Sequence, residues 1–207
     1  MLPMPKQGLY AITHTENQSI DAILVQTQAV LRGGASLVQY RDKQPIDALS
    51  LAKALATLCH HYHVPLLIND DIALARACGA DGVHLGLQDG SIAQARADLG
   101  PDAIIGVSCY NDVERAVNAQ VQGANYVAFG RFFASNSKPL AAPADVNTLA
   151  LAKANIDLPI VAIGGILPEN GQALIDAGAD LLAVIGGLMT KTPEDTARVY
   201  RRLFSHN

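Results

Sequence analysis

At 207 residues the chain can bury one sizeable core and is too short for more than two small domains. Half of it is apolar and its net charge is only −4, with no dense Lys or Arg run, which argues against nucleic acid or an anionic membrane surface as a partner. No apolar run reaches membrane-spanning length and MLPMPKQG lacks a signal-peptide core; three widely spaced cysteines, Cys59, Cys78 and Cys109, without a CxxC suggest reduced thiols, so a cytoplasmic protein is expected.

The first apolar run, GLYAIT (8–13), reads as a strand. Helical period follows over 18–32, where Ile20, Ile23, Leu24, Thr27 and Leu31 share a face. A second strand lies in GGASLVQYR (33–41), and a second helix over 46–61 carries Leu49, Leu51, Ala52, Leu55 and Leu58. VPLLIN (64–69) and a helix over 71–78 come next, then CGADGVHLG (78–86) and a helix over 91–99. AIIGVS (103–108) precedes a helix over 111–122, and QGANYVAFG (122–130) precedes one over 145–155. LPIVAIGG (158–165) with a helix over 168–177, and AGADLLAVIGG (177–187) with one over 193–204, complete the chain. Pro65 and Pro159 stand at strand starts, where a missing N–H is tolerated.

A repeat runs through this order. Gly-Ala pairs begin at 34, 79, 123 and 178, each followed by a small polar residue and an apolar strand. Each glycine falls just past a helix end, where a left-handed cap needs no Cβ. Eight strands alternating with eight helices predict a single (β/α)8 TIM barrel over residues 1–207. A doubly wound open sheet is the alternative, disfavoured by the lack of a GxGxxG after the first strand.

A barrel predicts that functional groups gather at the C-terminal strand ends, and the sequence places them there. LVQYRDK (37–43) reads as a strand end whose alternation puts Gln39, Arg41 and Lys43 on one face and Val38, Tyr40 and Asp42 on the other. Arg41, Lys43 and Lys138 suit a pyrophosphate; the alternative is surface ion pairing with Asp42. Asp70 and Asp89 end neighbouring strands and suit Mg²⁺, although Asp70 or Asp71 could instead cap the next helix. Gly164-Gly165 and Gly186-Gly187 are either phosphate-binding turns or merely tight ones. Ser135 and Ser137, around Asn136, could donate to phosphate oxygens. The histidines of CHHYH (59–63) end a helix, which explains them better than a metal site, and His84 reads as a hydrogen-bonded barrel residue. No GxSxG elbow or cysteine triad is present.

Taken together, LYAIT, QYRDK, INDD, DGVHLG with Asp89, GVS, GRFFASNSK, AIGGI and VIGGL resemble, in order and over nearly the whole chain, the thiamine-phosphate synthases. The resemblance implies an enzyme that joins a hydroxymethylpyrimidine diphosphate to a hydroxyethylthiazole phosphate and releases pyrophosphate. It implies that Gln39, Arg41 and Lys43, with Asn69, Ser108 and Lys138, bind the pyrimidine diphosphate, and Tyr40 and Asp42 are counted with that stretch. Arg41, Lys43, Ser108 and Lys138 would be catalytic, and Asp70 and Asp89 would hold Mg²⁺. Ser135, Asn136, Ser137, Gly165, Ile185 and Gly186 would hold the thiazole phosphate. The chain departs from the commoner pattern where Arg131 and Ala134 replace prolines, Ser135 and Ser137 replace threonines, Leu87 replaces glutamine and Gly186 replaces serine. Two small substrates are expected as partners, with no nucleic acid and no membrane, and a homo-oligomer is compatible with the sequence. The alternatives are a thiazole tautomerase, whose acid–base histidine would stand where this chain has Tyr110, and a non-catalytic phosphate-binding barrel.

Overall fold

The structure, a computed structural model, describes residues 1–86, 88–134 and 143–205. Strands β1 (Gly8–Ile12), β2 (Leu37–Tyr40), β3 (Leu66–Asn69), β4 (Gly82–Leu85), β5 (Ile104–Tyr110), β6 (Tyr126–Gly130), β7 (Ile160–Ile163) and β8 (Leu181–Val184) pair in chain order. All neighbours are parallel, and β8 pairs with β1, so the sheet closes on itself and the barrel expected from the repeat is present. The helices are α1 (Ile20–Arg32), α2 (Ala48–His61), α3 (Ile72–Cys78), α4 (Ile92–Leu99), α5 (Val113–Val121), α6 (Asn147–Asn155), α7 (Pro168–Asp176) and α8 (Pro193–Arg202). A 3-10 turn, Gly186–Leu188, was not foreseen.

Local chemistry sets the helix starts. Ser19, Asp47, Asp71, Ser91 and Asp112 each accept a hydrogen bond from a backbone amide of the first turn of α1 to α5. In α1 the buried residues Ile23, Thr27, Val30 and Leu31 form one stripe against the sheet. The pleat then divides each strand between two cores. Tyr10, Ile12, Leu37, Leu67, Ile104, Tyr126 and Val161 fill the barrel interior, whereas Leu9, Val38, Tyr40, Leu66, Ile68 and Val127 pack outward under the helices.

The repeat has a physical explanation in the starts of the even-numbered strands. Gly34, Gly79, Gly123 and Gly178 all have positive φ, as left-handed exits from the preceding helices require. The polar residue two positions later staples its strand to the one before. Asp81 donates its amide to the Leu66 carbonyl (2.8 Å) and accepts from the Leu66 amide through its carboxylate (2.9 Å). Asn125 does the same to Ile105 (2.7 and 2.8 Å), and Asp180 to Ile160 (2.8 Å for both). Ser36 keeps the backbone half of this pattern, donating to the Leu9 carbonyl at 2.8 Å. Asp81, almost fully buried, also accepts from the Leu2 amide at 2.6 Å and lies 2.8 Å from His60 Nε2. His60 is thereby accounted for as a structural partner at the end of α2.

Among the described residues no helix is long and apolar enough to cross a membrane. Cys59, Cys78 and Cys109 are free and buried.

Candidate active site

The C-terminal ends of the strands surround a cavity of about 490 Å³. Of the residues expected at the site, Gln39, Arg41, Asn69, Asp70, Asp89, Ser108, Gly165, Ile185 and Gly186 line it. They come from six different strand ends and meet only because the sheet closes.

Arg41 follows the last residue of β2. Its amide donates to Thr13 Oγ1 (3.0 Å), and the same hydroxyl lies 3.2 Å from the Arg41 carbonyl, so the end of β1 grips the backbone that carries the guanidinium. Lys43 is exposed and stands outside the cavity wall. Two expectations need correction. Tyr40 is buried on the opposite face of β2, under the helices, as alternation demands. Asp42 accepts from the Gln44 amide at 2.9 Å and is not part of the wall. Because β2 ends at Tyr40, its alternation cannot be extended through Asp42 to Lys43.

The two aspartates of INDD have separate jobs. Asp71 caps α3, accepting from the Leu74 amide at 2.8 Å. Asp70 has φ of 65°, donates its amide to the His84 carbonyl (2.8 Å) and lines the cavity with Asp89. Asp89 folds back to accept from the Gly86 amide at 2.9 Å, and a Cβ on Gly86 would run into that carboxylate. Burial in the cavity mouth, followed by the facing Asp89, pushes the Asp70 carboxyl up to about 6; the Asn69 amide and Arg41 offset part of this. Two carboxylates in such proximity repel unless a cation lies between them, and that donor set suits a hard divalent ion such as Mg²⁺. Among the described residues no group of three or more metal-ligating side chains exists, so substrate oxygens and water would have to complete the coordination.

Ser108 is half-buried on β5. Arg115, on α5, donates through Nε to its carbonyl (2.7 Å) and reaches the Gly86 carbonyl, so one guanidinium joins the ends of β4 and β5. Below Ser108 lies a set of partners that sequence reasoning had only touched at His84. His84 Nε2 is 2.9 Å from Ser108 Oγ, and its Nδ1 is 2.7 Å from the Tyr126 hydroxyl. Tyr126 is 2.9 Å from the Tyr10 hydroxyl, which accepts from Gln39 Nε2 at 2.6 Å. In the sequence Tyr10 and Tyr126 stand out only as polar aromatics at inward positions of apolar strands.

On the far wall, Phe132 and Phe133 donate their amides to the Ile163 and Gly164 carbonyls, laying residues 131–134 along the end of β7. Gly164 and Gly165 have φ of 105° and 63°, and a Cβ on Gly165 would meet the Ala134 carbonyl. Asn170 of α7 donates to the Gly165 carbonyl at 3.1 Å and closes this turn. Arg131, noted in the sequence as a departure from the commoner pattern with no role assigned, also lines the cavity here. Ser135, Asn136, Ser137 and Lys138, like Leu87, lie outside the described residues.

The family described as thiamine monophosphate synthase matches residues 9–188. The chain is 50% identical over 204 residues to a thiamine-phosphate synthase of Methylobacillus flagellatus, with 97% of each chain covered. It is 50% identical over 201 residues to that of Nitrosococcus oceani, covering 96% of this chain and 93% of the relative. Among solved structures, a thiamine phosphate pyrophosphorylase from Pyrococcus furiosus superposes with a TM-score of 0.85 at 29% identity, covering 96% of this chain and 95% of that one.

Proposed function

The chain belongs to the thiamine monophosphate synthase family of enzymes, and from that premise we propose that its cavity condenses a hydroxymethylpyrimidine diphosphate with a hydroxyethylthiazole phosphate. The observation that carries this reading is the asymmetry of the cavity. Arg41 and the Asp70–Asp89 pair stand on one wall, and the glycine turns at Gly164-Gly165 and Gly186-Gly187 on the other. One wall suits a diphosphate with its metal; the other suits a monophosphate held by backbone amides.

The bond that breaks joins the pyrimidine methylene carbon to the diphosphate oxygen. Its electron pair leaves with pyrophosphate, the aminopyrimidine stabilises the methylene cation, and the thiazole nitrogen supplies the pair for the new C–N bond. Arg41 is assigned to the diphosphate, where positive charge stabilises the leaving group; Lys43, exposed beside the cavity wall, and Lys138 are assigned there on the family resemblance alone. Asp70 and Asp89 would hold Mg²⁺, which when bound adds positive charge beside the same oxygens. Gln39, Asn69 and Ser108 orient the pyrimidine diphosphate, and Gly165, Ile185 and Gly186, with Ser135, Asn136 and Ser137, hold the thiazole phosphate in line with the breaking bond. No nucleophilic side chain is required, in keeping with a sequence that offers no triad.

Incubating the purified protein with both substrates and Mg²⁺ tests the reading directly. Stoichiometric pyrophosphate and thiamine phosphate are expected. Isomerisation of a thiazole carboxylate phosphate without pyrophosphate release would identify a tautomerase instead, and binding without turnover a non-catalytic barrel.

A further inference from the structure

The side chains beneath Ser108 form one unbroken hydrogen-bonded chain, Gln39–Tyr10–Tyr126–His84–Ser108, drawn from five different strands. Its direction follows from its first member. An amide nitrogen only donates, so the Tyr10 oxygen accepts from Gln39 and turns its own hydrogen to Tyr126. The Tyr126 hydroxyl, now an acceptor from Tyr10, donates to His84 Nδ1. A neutral imidazole that accepts at Nδ1 carries its proton on Nε2, which donates to Ser108 Oγ. The hydroxyl hydrogen of Ser108 is then directed onward into the cavity that Ser108 lines.

Tyr126 is the link that sets this polarity at the histidine. It lies beneath the cavity and is fully buried, its ring stacked on His84 at 5.6 Å and edge-on to Tyr10 at 5.9 Å. Space for the ring comes from its partner in β5, Gly106, where a Cβ would occupy the phenol itself. Burial also raises both tyrosines above their ordinary range, so their hydroxyls keep the hydrogens that the chain needs.

We propose that Tyr126 is a positioning residue: by fixing the tautomer of His84 it holds Ser108 as a hydrogen-bond donor toward an acceptor atom of the bound pyrimidine diphosphate. The inference rests on the reading of Ser108 as a contact to that substrate. It predicts an effect on turnover from a residue that touches no substrate.

Long-range ¹H–¹⁵N spectroscopy provides a readout that simple loss of packing would not move. In the wild type at neutral pH, His84, identified by the signal lost in His84→Gln, should be a single Nε2–H tautomer. In Tyr126→Phe a mixture of tautomers should appear, with kcat down about tenfold and both KM values changed by less than about twofold. In a Ser108→Ala background the same substitution should cause no further loss of kcat. Finding wild-type His84 in the Nδ1–H or doubly protonated form overturns the proposal, even if Tyr126→Phe fails to fold. So does a Tyr126→Phe loss of equal size with and without Ser108. If Ser108→Ala alone turns over normally, the reading of Ser108 fails instead, and the His84 tautomer still reports whether Tyr126 governs it.

Discussion

Thr13 and Arg41 hold each other across the ends of β1 and β2 through a single hydroxyl, 3.0 Å from the arginine amide and 3.2 Å from its carbonyl. The residue that presents charge to the cavity is thus fixed by a neighbour that carries none. Thr13→Val keeps the shape and removes both bonds. It should lower kcat/KM by about five- to tenfold with little change in melting temperature, as steady-state kinetics and calorimetry would show.

Cations assigned to the diphosphate should matter far more to rate than to fold. Arg41→Ala and Lys138→Ala are each expected to reduce turnover by roughly ten- to a few hundredfold, the loss of one charge-assisted contact. Arg41→Lys should recover only part of the deficit, because an ammonium cannot form the two parallel bonds of a guanidinium. Wild-type rates in both alanine variants would contradict the assignment.

Asp70 and Asp89 oppose each other electrostatically when no cation is bound, and that opposition adds to burial, the larger cause, in raising the Asp70 carboxyl. Added Mg²⁺ should raise the melting temperature of the wild type. In Asp70→Asn with Asp89→Asn that stabilisation should disappear, together with activity, while the melting temperature in chelator should equal or exceed that of the wild type. A melting titration with the metal alone checks this without a substrate.

Gly165→Ala would force a Cβ toward the Ala134 carbonyl at a φ of 63°. It should destabilise the fold by about 1–3 kcal/mol and raise KM for the thiazole phosphate more than KM for the pyrimidine diphosphate. Denaturant titration and separate saturation curves distinguish the two effects.

Burial pushes the thiols of Cys59 and Cys109 up to about 12 and raises that of Cys78 as well. A disulfide reagent should therefore leave all three unmodified in the native protein and titrate all three after unfolding.

Much of this architecture was legible because it is local. Alternation, caps and the Gly-Ala repeat each act over a few residues, and they were enough to specify eight strands, their parallel order and the rim where the cavity lies. The division of labour between Asp70 and Asp71 was legible as a choice and was resolved by the hydrogen bond to Leu74. Errors arose where a local rule was carried past its element. Alternation predicts one face through Lys43, but β2 stops at Tyr40 and residues 41–43 are not part of the strand. The chain from Gln39 to Ser108 was hidden for the opposite reason. Tyr10 and Tyr126 are 116 positions apart, and nothing in either neighbourhood announces the other.

The staples formed by Asp81, Asn125 and Asp180 all lie at one rim, whereas catalysis is assigned to the other. Like the hub of a wheel, the fastened end keeps every spoke in step, so the open end can be altered without the wheel coming apart. Swapping residues around the open mouth, its glycine turns apart, should therefore be a mild way to retune such a molecule, and disturbing its hub a harsh one.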